Sequence, residues 1–561
     1  MEPWPSSDAV PGQPINAWIV SCWKKFGGSL KGRRFGSPFA GIPLNCPDKS
    51  FELPALVVAM PQPVQLQSAM RRLFTGTLWT AIGAVGARCL SVVGAVLAAR
   101  LLGREDFGAL GIVQSTVGMF GVLAGFGLGA TSTRHIAQLR LTDPVRAGRI
   151  LTLCIVTGWG TSLLMAGAMA GAAPWLSARI LARPDLCDVI RIGAWMLFWG
   201  GVNGMQMGTL AGLEAFRTTA WINMVVGLTG IPMTVLGIYW GGLRGGVWGL
   251  VAASVLNWTL NHIMLRRLCA RANLRLTRHG WWEERAVLTR FSIPSMLSVM
   301  MVGPVWWACQ AILVNQADGY AQLGLFNAAA RIKQLPESIA GLLMVPLMPI
   351  LSDLHGRRDV EGYGRILRAA FGIYALVIVP VSLLQAAVPS LTLMPFGSEY
   401  STSPGLVRFL MLHAVMVGLY APLGQVIASA GRMWVGFFHN LAWGIICLLL
   451  AGWLIPAWGA AGLAASQAVA FLCVSLPFLW YLNLKDRDLV RNLPLFRWTG
   501  IALFALVVVV WFPSDVYPGW SGIGGLFVGI GFGSWMVYEM RTLWNGLLGV
   551  FVQRWRSRPP S

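Results

Sequence analysis

The sequence predicts an all-α polytopic membrane protein, and three observations support this prediction. Hydrophobic residues make up 56% of the 561-residue chain, and charged residues only 12%. Long uncharged runs recur too often for a single soluble core to bury them. Polar motifs also return after a nearly constant interval, which indicates an internal duplication.

Windows of about 20 apolar residues predict fourteen transmembrane helices. These spans cover residues 73–99, 107–130, 150–173, 188–211, 220–240, 247–265, 290–314, 321–349, 366–390, 404–428, 434–455, 458–482, 498–513 and 519–540. We expect an N-lobe at 70–265 (spans 1–6), a basic linker at 266–289, a C-lobe at 290–482 (spans 7–12), two extra helices within 483–540, and a basic tail at 541–561.

Three sets of matching residues support the duplication. Residues 107–110 match residues 323–326 at an interval of 216, and the pair Asn223 and Gly227 matches Asn440 and Gly444 at 217. A third set, which begins with Gly246 and Gly249, matches Gly459 and Gly462 at about 213. An even number of spans in each copy makes the copies parallel, so they enclose a central space around an axis along the membrane normal.

The distribution of Lys and Arg predicts the orientation in the membrane. Alternate connections hold 27 basic residues in one set and 5 in the other. The positive-inside rule therefore places both termini in the cytoplasm. The net charge of +21 is explained by this topology and by attraction to anionic lipid, without a nucleic-acid partner.

Other features exclude several kinds of site. The nine Cys and six His show no metal-ligand spacing and no disulfide framework, so no metal or cofactor is expected. Residues 1–69 hold ten Pro and a basic cluster, which predicts a disordered cytoplasmic leader. Met70, just before the first span, is an alternative start of the protein.

Two segments resemble a known family. Residues 99–108 (Ala-Arg-Leu-Leu-Gly-Arg-Glu-Asp-Phe-Gly) and 125–129 (Gly-Phe-Gly-Leu-Gly) are similar to the N-terminal signature of lipid-linked oligosaccharide flippases and polysaccharide exporters. Residues 291–294 and 319–327 resemble the corresponding second-half segment. That family belongs to the superfamily of the multidrug-and-toxin extruders, and the resemblance covers roughly residues 70–485.

The resemblance implies a fold and an activity. The expected fold is two six-helix lobes in a V that opens alternately to each side of the membrane, with two added C-terminal helices. The expected substrate is a polyprenyl-pyrophosphate-linked glycan, carried from the inner to the outer leaflet of the cytoplasmic membrane. Expected partners are this lipid-linked oligosaccharide, membrane lipids, and the polymerase and glycosyltransferases of the pathway; the protein itself is expected to be a monomer.

Arginines inside the spans indicate the substrate site. An Arg at mid-depth, such as Arg88, costs roughly 2.5–3.5 kcal/mol unless it faces water or an anion, and its helical face is otherwise made of small residues. Arg331 shares a polar stripe with Asn327, Gln334 and Ser338. Two Arg in opposite lobes suit a pyrophosphate through forked hydrogen bonds. The alternative is that either Arg bonds the carbonyls of a neighbouring helix.

The remaining candidates carry open alternatives. Arg408 is a third phosphate candidate or snorkels to the outer surface. Lys333 and Glu337 form a structural i,i+4 ion pair or couple transport to an ion. Trp306 and Trp307, with Asn327 and Gln334, are candidate glycan contacts. Several amides line the cavity or bond a neighbouring helix: Asn203, Gln206, Asn257, Asn261, Gln385, Gln425 and Gln467.

Three function classes compete on these data. The first is the alternating-access flippase, which predicts mid-membrane cations with few acidic residues. The second is a cation-coupled multidrug antiporter on the same fold, which requires carboxylates in the first lobe. The third is a membrane glycosyltransferase or polymerase, which requires acidic residues on a sizeable outer loop. The short outer connections make an enzyme the least favoured class.

Overall fold

The computed structural model describes residues 63–272, 274, 276, 280–344, 347, 351, 360–400, 403–429 and 433–485. Within these ranges the chain consists of helices and short connections, without a β-strand. The predicted spans 498–513 and 519–540, the basic tail and residues 1–62 of the predicted leader lie outside the described residues. Every contact reported below lies within the unit that begins at Leu66.

The first half contains five helices. They are α1 (Pro63–Gly125), α2 (Leu128–Leu139), α3 (Pro144–Trp175), α4 (Leu186–Gly212) and α5 (Phe216–Arg271). Two of them are bent: α1 at Gly103 and α5 at Gly241 and Gly242, where the backbone leaves the helical region. The π-turn Leu176–Ile180 extends α3. The helix is interrupted at these glycines, and the two arms on either side correspond to two predicted spans.

The second half follows a connection that contains the 3-10 turn Trp281–Arg285 and the π-turn Leu288–Ser292. Its helices are α6 (Ile293–Met300), α7 (Val302–Val314), α8 (Gly319–Met344), α9 (Val360–Ala387), α10 (Pro389–Leu393), α11 (Pro404–Ser429) and α12 (Met433–Lys485). Helix α12 bends at Gly459. Each of the first twelve predicted spans therefore overlaps a helical arm.

Six helical stretches among the described residues are long and apolar enough to cross a membrane. They lie on α1, α3, α5, α6 with α7, α11 and α12. Helix α8 carries a predicted span but is not one of them, because Arg331, Lys333 and Glu337 interrupt its apolar sequence. The same polar residues make α8 the most informative helix for the site.

Two helix ends differ from the predicted boundaries. The second span was expected to reach residue 130, but α1 ends at Gly125 because Phe126 and Gly127 adopt positive φ angles of 45° and 64°. A Cβ on Gly127 would overlap the carbonyl oxygen of Ser292, so glycine permits both the turn and the close approach. Helix α1 begins at Pro63, which makes the last seven residues of the predicted leader helical.

The bends reveal the register of the duplication. Gly242 (φ 54°, ψ −139°) and Gly459 (φ 54°, ψ −126°) share one unusual conformation. A Cβ on Gly245 would overlap the carbonyl oxygen of Gly237, and a Cβ on Gly462 would overlap that of Leu454. All of these pairs are 217 residues apart.

The predicted interval of 213 for the third set is therefore wrong by four residues. Gly459 corresponds to Gly242 rather than to Gly246, and Gly462 to Gly245 rather than to Gly249. Glycines recur here at three- and four-residue steps. A shift of about one helical turn therefore aligns glycine with glycine and cannot be detected from the letters alone.

Each half packs internally, and one of the contacts between the halves is reciprocal. Helix α4 packs against α2, α3 and α5, and α11 packs against α8, α9 and α12. Between the halves, a Cβ on Gly108 would overlap the carbonyl oxygen of Tyr320, and a Cβ on Gly324 would overlap that of Arg104. Both pairs are related by 216 residues, as a two-fold relation between copies requires.

Candidate functional site

A cavity of about 470 Å³ lies between the two halves, and we call it the central cavity. Its walls come from both arms of α1 and from α5 in the first half, and from α7 and α8 in the second. This volume falls within the usual range of small-molecule sites. Among the described residues that line it, Arg331 is the only charged one.

Arg331 lines the central cavity from α8 and makes one hydrogen bond to the protein. Its Nη2 donates to Oε1 of Gln114 on α1, over 2.8 Å. A guanidinium carries five N–H donors, and the others have no protein acceptor among the described residues. The bond to Gln114 orients the group across the boundary between the halves and leaves donors for a ligand.

Arg88 lies beside the central cavity, not in its lining. Its side chain is exposed, while the adjacent Ala87 and Ser91, one turn away, line the cavity. Arg88 is close enough to Arg331 for their two charges to repel each other. The structure thus brings the two predicted arginines into electrostatic range from opposite halves.

The two halves contribute different kinds of side chain to the lining. The first arm of α1 presents small residues, which are Ala87, Ser91, Gly94, Ala95 and Ala98. Helices α7 and α8 present aromatic and polar groups, among them Trp306, Gln310, Asn327 and Gln334. The first half therefore supplies space, and the second half supplies most of the groups that can bind a ligand.

Four amides line the central cavity, and the sequence predicted only two of them. Asn327 and Gln334 were expected from the polar stripe of α8. Gln114 and Gln310 were missed. Each is the only amide in a largely apolar stretch, residues 107–125 for Gln114 and 302–314 for Gln310. The only signal was helical spacing: Gln114 lies seven residues after Phe107, and Gln310 four after Trp306, on the same faces.

The structure separates the two candidate tryptophans. Trp306 lines the central cavity. Trp307 lies outside the lining, and its indole N–H donates to Oγ1 of Thr116 over 2.9 Å. Because Thr116 is fully buried on α1, this hydrogen bond ties the two halves together.

Lys333 lies behind Trp306, outside the lining of the cavity. Its Nζ is 3.3 Å from Oε1 of Glu337, 2.9 Å from Nδ1 of His413 on α11, and 5.8 Å from the centre of the Trp306 ring. The lysine is 5% exposed. The expected i,i+4 contact is present, and because an ammonium only donates, Nδ1 of His413 acts as the acceptor.

Other polar candidates lie away from the central cavity. Arg408 is buried, so its side chain does not reach the surface as the snorkelling alternative requires, and it is not part of the lining. Nδ2 of Asn261 donates to Oδ1 of Asn203 over 2.9 Å and to Oδ1 of Asn257 over 2.7 Å. These three amides thus join α4 to α5, which agrees with the alternative that they bond a neighbouring helix instead of lining the cavity.

Both ends of the boundary between the halves carry polar contacts. Near the turn at 315–318, the Tyr320 hydroxyl donates to the carbonyl oxygen of Leu181 over 2.8 Å, and Arg183 lies 5.0 Å from the centre of the Tyr320 ring. At the opposite end, the hydroxyls of Thr131 and Ser292 are 2.7 Å apart. The central cavity lies between these two sets of contacts.

A family model described as "Polysaccharide biosynthesis protein" matches residues 73–355, half of the chain. The chain belongs to this family. The match contains the signature-like residues 99–108 and the polar stripe of α8. The resemblance stated from the sequence is therefore confirmed.

Two curated relatives of this family member are informative. The chain is 23% identical, over 394 residues, to the EPS I polysaccharide export inner membrane protein EpsE of Ralstonia nicotianae, which covers 68% of this chain and 87% of the relative. It is 24% identical, over 424 residues, to the lipid III flippase of Escherichia coli, covering 72% of this chain and 98% of the relative. These relatives are named as transport proteins.

A solved structure confirms the fold. The lipid II flippase MurJ in an inward closed conformation aligns with a TM-score of 0.62 at 14% identity, covering 82% of this chain and 99% of that one. Identity this low shows the fold alone. Together with the apolar helices, it establishes that this member of the polysaccharide biosynthesis family is an all-helical, multi-pass membrane protein.

Proposed function

We propose that the protein is an alternating-access flippase for a polyprenyl-pyrophosphate-linked oligosaccharide. It moves this lipid from the inner to the outer leaflet of the cytoplasmic membrane for synthesis of a surface polysaccharide. Both termini of the protein lie in the cytoplasm. The names of the relatives support the substrate class, and the excess of basic residues in alternate connections supports the orientation. The two-lobed V and two further C-terminal helices remain part of the proposal.

The observation that carries the proposal is the charge of the central cavity. Its lining contains one guanidinium, Arg331, and no carboxylate among the described residues. A second cation, Arg88, lies close enough for the two charges to repel. An anion placed between them removes this repulsion and accepts hydrogen bonds from both, and a pyrophosphate offers enough oxygens for two forked arginines.

The polar contacts at the two ends of the boundary support alternating access. A carrier that alternates must break the contacts on one side while it keeps those on the other. The Tyr320–Leu181 hydrogen bond and the Thr131–Ser292 hydrogen bond lie at opposite ends of the central cavity. Each involves only a few polar groups, so either set can open without unfolding the core.

The competing transporter class fits this cavity less well. A carrier of cationic drugs needs a carboxylate where its substrate binds. Glu337, an acidic residue within the predicted span 321–349, pairs with Lys333 outside the lining. A lining with one cation and four amides favours an anionic, hydroxyl-rich substrate.

The experiment compares Arg331→Ala and Arg331→Lys in the native host after deletion of the chromosomal gene. Loss of charge-assisted hydrogen bonds, each worth about 1.5–3 kcal/mol, is expected to weaken substrate binding by roughly tenfold or more. The amount of surface polysaccharide should fall, and lipid-linked oligosaccharide should accumulate on the cytoplasmic side of the membrane. The lysine variant should recover part of the export, because it restores the charge without the fork.

Arg179→Ala is the control, since Arg179 is exposed and lies outside the central cavity. Membrane insertion of every variant is checked by detergent extraction and size-exclusion chromatography. If Arg331→Ala and Arg88→Ala both export polysaccharide as the wild type does, at normal protein levels, the proposed phosphate site is wrong.

A further inference from the structure

The lining of the central cavity contains polar atoms that have no hydrogen-bond partner among the described residues. Gln310 is only 8% exposed, and its Oε1 is buried without a hydrogen-bond donor among the described residues. Nδ2 of Asn327 is likewise buried without an acceptor. A buried amide without its hydrogen bond is costly, and because both residues line the central cavity, a ligand that enters it can supply the missing partners.

The chemistry of the Gln310 oxygen excludes the phosphate groups as its partner. A carboxamide oxygen only accepts hydrogen bonds, and an ionised pyrophosphate has no donor to offer it. Gln310 therefore requires a hydroxyl or an amide N–H from the ligand, while Nδ2 of Asn327 requires a ligand oxygen. A sugar ring carries both kinds of group.

An aromatic face lies beside the two amides. Trp306 precedes Gln310 by one helical turn on α7, and both line the central cavity. The Trp306 ring is 6.5 Å from that of Phe326, the neighbour of Asn327 in sequence. An indole in the same lining as two amides presents an apolar surface for the C–H face of a sugar together with partners for its hydroxyls.

The space for a ring comes from the opposite half. A Cβ on Gly111 would overlap Nδ2 of Asn327, so glycine at this position leaves the space that the Asn327 amide occupies. Gly94 and Ala95 of α1 also line the cavity. Small residues of α1 thus line the same cavity as Trp306, Gln310 and Asn327.

The position of this region relative to Arg331 defines how a ligand would lie. Asn327 precedes Arg331 by one turn of α8, about 6 Å along the helix axis, on the side of the turn at 315–318. Gln310 lies toward the same turn from Trp306. The amides therefore lie between Arg331 and the membrane face that we propose is external.

We infer that Trp306, Gln310 and Asn327 form a subsite for the first sugar of the lipid-linked glycan, the ring bonded directly to the pyrophosphate. This inference rests on the proposed function. It adds that the glycan enters the central cavity before the phosphates when the lipid binds from the inner leaflet. The subsite makes the carrier select for a glycan instead of accepting any polyprenyl pyrophosphate.

The test measures binding of two probes to the full-length protein in detergent. One probe is a short-chain polyprenyl pyrophosphate, and the other is the same lipid carrying one N-acetylhexosamine. Two neutral hydrogen bonds of about 0.5–1.5 kcal/mol each predict that the wild type binds the glycosylated probe roughly five- to a hundredfold more tightly. Equal affinity for the two probes in the wild type would overturn the subsite.

The variants distinguish failure of the subsite from failure of the phosphate site. Gln310→Leu should lose about two- to tenfold in affinity for the glycosylated probe and bind the bare pyrophosphate as the wild type does. Gly111→Ala, which displaces the Asn327 amide from the opposite half, should have the same selective effect. Arg331→Ala should weaken both probes.

The matched control is Gln467→Leu. Gln467 is also buried, and its side-chain amide also lacks a partner among the described residues, but it lies outside the central cavity. It should leave both affinities unchanged. A Gln310→Leu protein that loses affinity for both probes equally, or for neither, contradicts the assignment even if Arg331 proves essential.

Discussion

The reciprocal glycine contact between the halves offers a sharp test of the architecture. In Gly108→Ala, the new methyl group overlaps the carbonyl oxygen of Tyr320 and lies 2.9 Å from the backbone nitrogen of Gly324. Both are backbone atoms and cannot rotate away. The helices must separate, at a cost of about 1–3 kcal/mol by analogy with overpacked cores.

Gly118→Ala is the control on the same helix. A Cβ at Gly118 meets nothing within 4 Å, so this variant keeps only the gain in helix propensity, up to about 1 kcal/mol. That gain is common to both variants. The difference between them therefore isolates the contact, and we expect Gly108→Ala to be less stable than Gly118→Ala by about 1–3 kcal/mol.

The measurement is thermal unfolding of the purified protein in detergent, followed by tryptophan fluorescence. Gly324→Ala should repeat the effect, because its methyl group overlaps the carbonyl oxygen of Arg104. In the double variant the cost should be smaller than the sum, since one separation of the helices relieves both overlaps. Strict additivity, or equal unfolding of Gly108→Ala and Gly118→Ala, would refute a shared close approach.

Two further predictions concern charged groups away from the central cavity. Lys333→Met leaves Glu337 without its ion-pair partner, so it should destabilise the protein by roughly 3–5 kcal/mol. In thermal unfolding, the double variant Lys333→Met with Glu337→Gln should recover most of this loss. If it recovers none, Lys333 stabilises the protein mainly through its contact with His413. Burial, followed by the charge of Arg134, lowers the pKa of His135, so its contribution to stability is present above pH 6.5 and is lost as the pH falls below that value. The wild type should therefore unfold at a lower temperature at about pH 5.5 than at pH 7.5, and His135→Gln should show a smaller difference; an unchanged difference would exclude His135 as a cause.

Much of the fold follows from hydropathy and spacing. Twelve apolar stretches had to be helical because backbone groups in lipid must bond within their own segment. The turns between spans were harder to foresee. The sequence predicted separate spans at 220–240 and 247–265, and the structure joins the two helical arms directly at Gly241 and Gly242, whose backbone is non-helical, because two glycines absorb the change of direction without a loop.

The candidate site was predictable only where several polar residues share a helix face. Asn327, Arg331 and Gln334 recur at three- and four-residue steps, so one helix places them all on one side. Gln114 and Gln310 are each the only amide in a largely apolar stretch, and a single amide does not reveal which neighbouring helix it faces. The adjacent Trp306 and Trp307 point about 100° apart on a helix, and only tertiary packing decides which one lines the central cavity.

The duplication, combined with the cavity, explains why most of the binding groups lie on one side. Five pairs of residues related by 216 positions line the central cavity. In three of them, Gly94 with Gln310, Gly111 with Asn327, and Ser115 with Arg331, the first half carries a small residue and the second half a hydrogen-bonding or charged one. Gln114 with Ala330 reverses this order, and Leu110 with Phe326 pairs two apolar residues. Two identical copies would instead have added a further guanidinium at position 115, with more repulsion among the arginines and less space. Because the first copy keeps glycine and serine at these three positions, it leaves room for the ligand opposite Gln310, Asn327 and Arg331 of the second copy.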